Sequence, residues 1–281
     1  MANGSLEFNW DAYKESLNQL AYDVAKKNRK IRPLLTLYGE QGKWARNIIQ
    51  NKVISQPSLA ISIEEQNLTP ITLSYTVPLP ENFFSNPIEA LGNFVTIAAR
   101  KIANAEDAVI LLGKNAKERL SLYGVNASYL EKQIGLLDTA LELPPNQSVS
   151  ESVREGMSEL LRNGCVGDYA VVVSDALDKQ ARTRNQVTHT TELEEMRNLV
   201  TEERFILSSA LEGRTGVMMS LSDNGIKLAV PVDISVQFVS LQLVEGTIQA
   251  ILRVVEQIRL VIDIPEAIVP LRPINDNPPV K

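Results

Sequence analysis

Side chains able to do chemistry are few in this chain of 281 residues. There is one histidine, His189, and one cysteine, Cys165. Together they could form a thiolate–imidazole pair, but a lone cysteine is more commonly a small, buried apolar side chain. One histidine excludes a multi-histidine metal site within one chain. No Glu-x-x-His pair is present for a di-iron carboxylate centre. Glu64-Glu65, Glu194-Glu195 and Glu202-Glu203 place carboxylates side by side, the raw material of acid–base catalysis. On a turn or a polar helix face, such pairs are ordinary solvated surface. Gly-x-Ser-x-Gly and Gly-x-Gly-x-x-Gly are absent, and Gly113-Lys114 lacks the upstream glycine of a phosphate loop. The sequence therefore predicts no catalytic residue, no metal and no cofactor: this is not an enzyme.

The elements that would carry any site centre on Asn86 to Gly113. Asn86 suits a helix cap and Pro87 its first turn. Ile88, Leu91, Val95, Ala98 and Ile102 recur every three or four residues, which makes one apolar stripe. Glu106 and Asp107 interrupt that apolar character before Ala108 to Leu112 restore it, and Gly113 is a plausible stop. Gly92 in mid-helix costs about 1 kcal/mol against alanine, so a packing reason is expected for it. The result is a long spine helix.

Before it, Asn9 can cap an amphipathic helix reaching Asn28, with Trp10, Tyr13, Leu17, Leu20, Ala21 and Val24 on one face. Lys26, Lys27, Arg29, Lys30 and Arg32 cluster at its end, where cations complement the helix dipole. Pro33 ends it. From Ile48 to Leu79 the period becomes two: Leu59, Ile61 and Ile63, then Ile71, Leu73, Tyr75, Val77 and Leu79. EEQNLTP between them reads as the turn of one long hairpin, too extended to bury both faces on its own body. It therefore packs back or reaches onto a neighbouring subunit. After the spine, Lys114 to Gly124, Ser128 to Leu143, Glu151 to Arg162, Asp175 to Arg182 and Thr190 to Glu203 read as helices. Tyr169 to Val173 reads as a buried strand. Asn224-Gly225 is a hairpin-turn signal between Val217–Leu221 and Ile226–Val230, and Ile258 to Ile264 is a strand stopped by Pro265. The proline-rich tail from Arg272 is read as flexible.

Composition sets bounds. Twenty-eight basic against 34 acidic residues leave a net charge of −6, which disfavours a nucleic-acid partner. A single cysteine allows no internal disulfide and fits a reducing cytoplasm. No signal-peptide layout opens the chain, and no apolar run is long enough to span a membrane.

Five stretches resemble the encapsulin shell proteins, the bacterial nanocompartment relatives of tailed-phage major capsid proteins. Tyr38-Gly-Glu-Gln-Gly-Lys-Trp44 resembles that family's Gly-x-x-Gly-Trp turn, with Lys43 intervening. Ala105-Glu-Asp-Ala-Val-Ile-Leu-Leu-Gly113 resembles its spine ending, and Gly167-Asp-Tyr-Ala-Val-Val-Val173 its apical strand. Val232-Asp-Ile-Ser-Val236 is similar to its Asp-Leu-Ser-Ile stretch, and Ile264-Pro-Glu-Ala-Ile268 to its terminal strand. They occur in the family's order over about residues 9 to 271.

The resemblance implies an α+β, phage-capsid-like fold with a peripheral domain, a spine helix, an extended β-hairpin loop and an apical domain. The implied division is 1–47 (first helix and start of the peripheral domain), 48–82 (extended loop), 83–135 (peripheral domain with the spine), 136–224 (apical domain), 225–271 (return strands) and 272–281 (tail). Many copies would close into an icosahedral shell in the cytoplasm. A groove beside the first helix would receive the C-terminal targeting peptide of a cargo enzyme. Carried onto this chain, its candidates are Leu20, Val24, Asn28, Leu34, Leu35, Asp233 and Ile234. Gln237-Phe238 stands where the family usually continues Gly-Tyr. Pro80 falls where some members place a tryptophan beside a flavin, so no flavin is expected. Pores are expected at the symmetry axes, and Glu142 and the loop Thr183–Thr191 are loosely suggested for them. The alternatives are a prophage capsid protein packaging nucleic acid, or a soluble enzyme using Cys165 or the carboxylate pairs.

Overall fold

A computed structural model describes residues 10–38, 48–55, 61–79, 87–138, 142–145, 147–222, 225–244 and 247–273. Helix α1 spans Asp11–Asn28, with Trp10 at its cap position. It ends where Arg29 turns extended, and Pro33 sits in a following 3₁₀ turn, Arg32–Leu34. Strands β1 (Thr36–Leu37), β2 (Ile48–Ser55), β3 (Ile61–Leu68) and β4 (Ile71–Leu79) precede the spine helix α2, Pro87–Leu112. Its 26 residues make it about 39 Å long at 1.5 Å per residue. Then come α3 (Lys117–Tyr123), β5 (Asn126–Ser128), α4 (Val149–Arg162), β6 (Tyr169–Val173), α5 (Asp175–Arg182) and α6 (Glu192–Glu195). β7 (Phe205–Leu207), β8 (Gly216–Ser220), β9 (Ile226–Val244), β10 (Thr247–Ile262) and β11 (Ile268–Pro270) complete the order.

Among the described residues the strands form three sheets. One is ordered β1-β9-β10-β4-β5, the second β11-β8-β6-β7, and the third is the pair β2-β3. This corrects the single hairpin read over Ile48–Leu79. β3 pairs with β2, from Ile61 opposite Ser55 to Leu68 opposite Ile48, whereas β4 pairs with β10 from Ile71 opposite Ile258 to Leu79 opposite Ala250. Thr69-Pro70 therefore passes the chain from one sheet to another. The strands on either side of Gly225 also belong to different sheets, since β8 lies between β6 and β11 and β9 between β1 and β10. Turn chemistry bends the chain; it does not choose the partner.

The α1 and α2 helices pack together over the five-stranded sheet, with Leu17, Ala21 and Ala25 of α1 and Leu91, Val95, Ala98 and Ile102 of α2 buried. A Cβ added to Gly92 would stand 3.9 Å from Leu20 Cδ2, an ordinary contact, so packing does not demand the glycine. Of the stretch read as a helix over Ser128–Leu143, the residues from Ser128 to Asp138 are instead the end of β5, a 3₁₀ turn and an irregular run, and 139–141 lie outside the described residues. Its backbone has other work. Leu136 and Leu137 donate to the carbonyls of Ile110 and Leu111 at 3.0 and 2.8 Å, groups that the end of a helix leaves without partners. The approach is close enough that a Cβ on Gly135 would lie 2.5 Å from Gly113 N. Thr190–Glu203 is likewise helical only over α6, where Thr191 and Glu194 form a capping box, and as a 3₁₀ turn at Glu202–Arg204.

In the second sheet, every residue of β6 and β8 is buried. This is the centre-of-sheet placement that the continuous apolar run YAVVV predicts.

Candidate functional site

Cys165 and His189 differ in setting: the cysteine is buried, while His189 stands in an exposed loop with left-handed backbone, φ 59°. Glu194 closes the α6 cap by accepting from Thr191 N at 2.8 Å. Glu202 pairs with Arg182 on the surface. Among the described residues no group of three or more His, Cys, Asp or Glu side chains is placed to hold a metal.

Of the sequence candidates, Leu20, Val24 and Asn28 lie on α1, Leu34 and Leu35 just after it, and Asp233 and Ile234 on β9, the strand against which α1 packs. Asn18 Oδ1 accepts from Val236 N at 2.7 Å, which fixes the helix against the strand backbone. Near the end of the helix, Asn28 Nδ2 donates to Val24 O at 2.7 Å. Leu20, Val24, Asn28 and Leu34 are half-buried, Leu35 and Ile234 are buried, and Val232 stays 39% exposed. Leu20, Val24 and Leu34 pack against the main core, Leu20 towards Gly92 of α2. A polar cleft of about 350 Å³ lies over the first half of α1, bounded by Asp11, Lys14, Glu15, Asn18 and Gln19. It is separate from the apolar candidates.

Asp233 and Ile234 occupy a bulge. Val232 pairs with Gln257 and Ser235 with Val255, so the two residues between them face the single residue Glu256. A bulge re-aims side chains at such points, and here it directs Asp233 into a buried charge cluster. Arg32 grips Glu106 with both ends of its fork, Nε to Oε1 at 2.6 Å and Nη2 to Oε2 at 2.9 Å. Arg29 Nε donates to the same Glu106 Oε2 at 2.6 Å. Both arginines reach Glu256 Oε1, Arg32 at 2.5 Å and Arg29 through its Nη2. Both also donate to Asp233 Oδ1 at 3.2 Å. Glu106 comes from α2 and Glu256 from β10, so this cluster ties the end of α1 to the spine and to two strands.

Asp107 adds a second tie by accepting from the backbone N–H groups of Lys30 and Ile31 at 2.9 and 3.1 Å. Burial and then the adjacent Glu106 carboxylate push Asp107 up to about 7. Burial and Glu106 likewise push Glu256 well above the usual carboxylate range, against the pull of Arg32 and Arg29. For Asp233 burial acts upward, but Arg32 and Arg29 overcome it and hold the group below its ordinary value. Burial also acts to lower both guanidiniums, and Glu256 with Glu106 outweighs it and raises them.

Sequence reading missed this cluster. It took Arg29 and Arg32 as part of a basic patch on the helix dipole, but they turn inward while Lys26, Lys27 and Lys30 stay exposed. The signal was present: Glu106-Asp107 within a run of apolar residues, and Glu256 inside the apolar Val254–Ile258 strand.

With this geometry in place, a family model described as encapsulating protein for peroxidase, Linocin_M18, matches residues 10–249. The chain belongs to that family. It is a structural, shell-forming encapsulin rather than an enzyme. The crystal structure of a virus-like particle from Pyrococcus furiosus is similar over 92% of this chain and 99% of that one, with a TM-score of 0.63 and 14% identity. A Mycobacterium phage Bobi structure is similar over 89% of this encapsulin and 91% of the phage chain (TM-score 0.61, 12% identity). The capsid of Myoviridae phage XM1 covers 85% and 90% respectively (0.54, 12%). These likenesses establish the mixed helix-and-sheet, capsid-type fold. The Gly39–Trp44 turn, Asn9, Pro80, Asn86, Asn224 and the tail beyond Pro273 lie outside the described residues.

Proposed function

We propose that many copies of this encapsulin close into an icosahedral shell in the cytoplasm, enclosing a cargo enzyme that carries a short C-terminal targeting peptide. The peptide would lie in the seam between α1 and the Val232–Val236 segment. Leu20, Val24, Leu34, Leu35 and Ile234 would supply apolar contact there, and Asn28 and Asp233 polar edges. The observation that carries this reading is the half-covered apolar seam beside an exposed Val232, on a helix fixed to the strand by Asn18. The family description, which names a peroxidase as what is encapsulated, supports an enzyme as the guest. Residues 48–82 are assigned as the extended loop and 136–224 as the apical domain. On this reading the paired strands β2-β3, marginal alone, gain their partners in the shell.

Purified particles examined by negative-stain microscopy, with mass spectrometry of their contents, test the proposal. Hollow particles holding one dominant enzyme are expected. Val232→Asp, at the exposed edge of the seam, should leave assembly intact and empty the shell; equal loading would refute the seam assignment. The likeness to phage capsids supports one other reading, a prophage capsid. An absorbance ratio dominated by nucleic acid in the wild-type particles would decide for it.

A further inference from the structure

The buried charge cluster does not balance. Arg29 and Arg32 bring two positive charges, while Glu106, Asp233 and Glu256 bring three negative ones. The side chains of Glu106 and Glu256 are 0% exposed and that of Arg29 is 3% exposed, so water cannot compensate. Glu256 Oε1 accepts from both arginines, but Oε2 is buried without a hydrogen-bond partner among the described residues. An anionic oxygen buried with no donor costs far more than a neutral carboxylic acid in the same place.

The other groups facing Glu256 are committed. Glu106 is held by both guanidiniums, and Asp233 keeps a quarter of its side chain in solvent. Asp107, beside Glu106, serves the backbone of Lys30 and Ile31. Strand β4 places Leu73 opposite Glu256 and brings no charge there.

We propose that the cluster carries one proton at neutral pH, held on Glu256, and that losing this proton unseats the end of α1 from the sheet. With the proton, two charges of each sign remain. Without it, a surplus negative charge is confined between α2 and β10. The simplest relief is for the Arg29–Arg32 segment to lift and admit water. That segment joins α1 to the rest of the chain, so lifting it opens the seam along β9. The raised affinity of Glu256 for its proton, caused by burial and by Glu106, agrees with this assignment. The proposal is independent of what the seam binds.

Hydrogen exchange of the assembled shell from about pH 6 to pH 10, corrected for the intrinsic pH dependence of exchange, reads the seating of α1 through its amides. Wild type should lose some protection as Asp107 ionises up to about pH 7, hold it constant up to a further transition, then lose roughly tenfold for each further pH unit. Glu256→Gln is neutral at every pH and should keep its protection constant once Asp107 has ionised, from about pH 7 upward. Asp233→Asn, which balances the charges with Glu256 ionised, should do the same. Infrared spectra of the Asp107→Asn shell, which removes the other buried acid with raised proton affinity, should show a buried protonated carboxyl at neutral pH that Glu256→Gln abolishes. Protection in wild type that is flat from about pH 7 upward overturns the proposal. So does alkaline loss shared by Glu256→Gln, or the absence of the protonated-carboxyl band. Should Glu256→Gln fail to assemble, the Asp233→Asn exchange and the infrared band decide.

Discussion

Replacing Asp107 with asparagine should reverse the order of stability of the two proteins between acid and alkaline pH. Asp107 is 4% exposed and its carboxyl is raised from 3.8 to about 7 by burial and by Glu106. A group whose proton affinity is raised on folding contributes its stability in full below the unfolded value and loses it as pH climbs through the folded value. The window here therefore runs from about pH 4 to about pH 7. A rise of about three pKa units, at 1.36 kcal/mol each, amounts to roughly 4 kcal/mol per chain. Asparagine mimics the protonated acid but can keep fewer of the bonds from Lys30 N and Ile31 N, a loss of about 1–2 kcal/mol. At pH 5 the variant should thus be close to wild type or slightly weaker. At pH 8 it should be the more stable by roughly 2 kcal/mol. Guanidinium unfolding midpoints, measured at one fixed protein concentration because assembly contributes, would show the two curves crossing. Parallel curves, with wild type ahead at both pH values, would refute the assignment of a strained, buried ionised Asp107.

Three further outcomes are expected. Arg29→Met leaves Glu106 and Glu256 with one arginine between them, and breaking a buried pair this way costs about 3–5 kcal/mol; the yield of assembled particles by sedimentation should collapse. Gly135→Ala drives a Cβ to 2.5 Å from Gly113 N and 2.6 Å from Leu111 O and Leu112 C, all three backbone atoms that cannot yield, so circular dichroism should show a chain that does not reach the native fold. Gly92→Ala adds a methyl in ordinary contact with Leu20 and removes the helix-interior penalty. The free energy of unfolding should rise by about 1 kcal/mol, and a fall would mean that α1 sits closer to the spine than described.

What could be read in advance follows from how local each signal is. The stripe of α2, the helical stretch of α4, and the continuous apolar run of β6 are encoded within their own residues, and they stand where expected. Strand partners are not local. Thr69-Pro70 and Gly225 were taken as hairpin turns, yet each passes the chain between sheets, because β4 and β9 find their longest pairing on β10. The lengths of β9 and β10 escaped for a different reason. The register between them shifts three times, and each bulge breaks the alternation that marks a strand. In the seam, Leu20, Val24 and Leu34 came from family resemblance, and a periodicity argument alone would have assigned them to the core, where half of each side chain does lie. Arg29 and Arg32 were misassigned because a basic run looks the same whether it is solvated or turned inward. Only the acids at 106 and 256, set among apolar neighbours, betray it.

The order of strands in the larger sheet has a bearing on how each copy is made. Among the described residues β1 pairs only with β9, and β4 pairs with β10 along its length, so elements translated first wait for the last quarter of the chain. Loop closure over such separations is slow. A ribosome emerging with α1, β2-β3 and the spine holds a chain whose central strands do not yet exist. The body of each tile is thereby finished late: β1 and β4 are seated in their sheet only once residues 226–262 have been made.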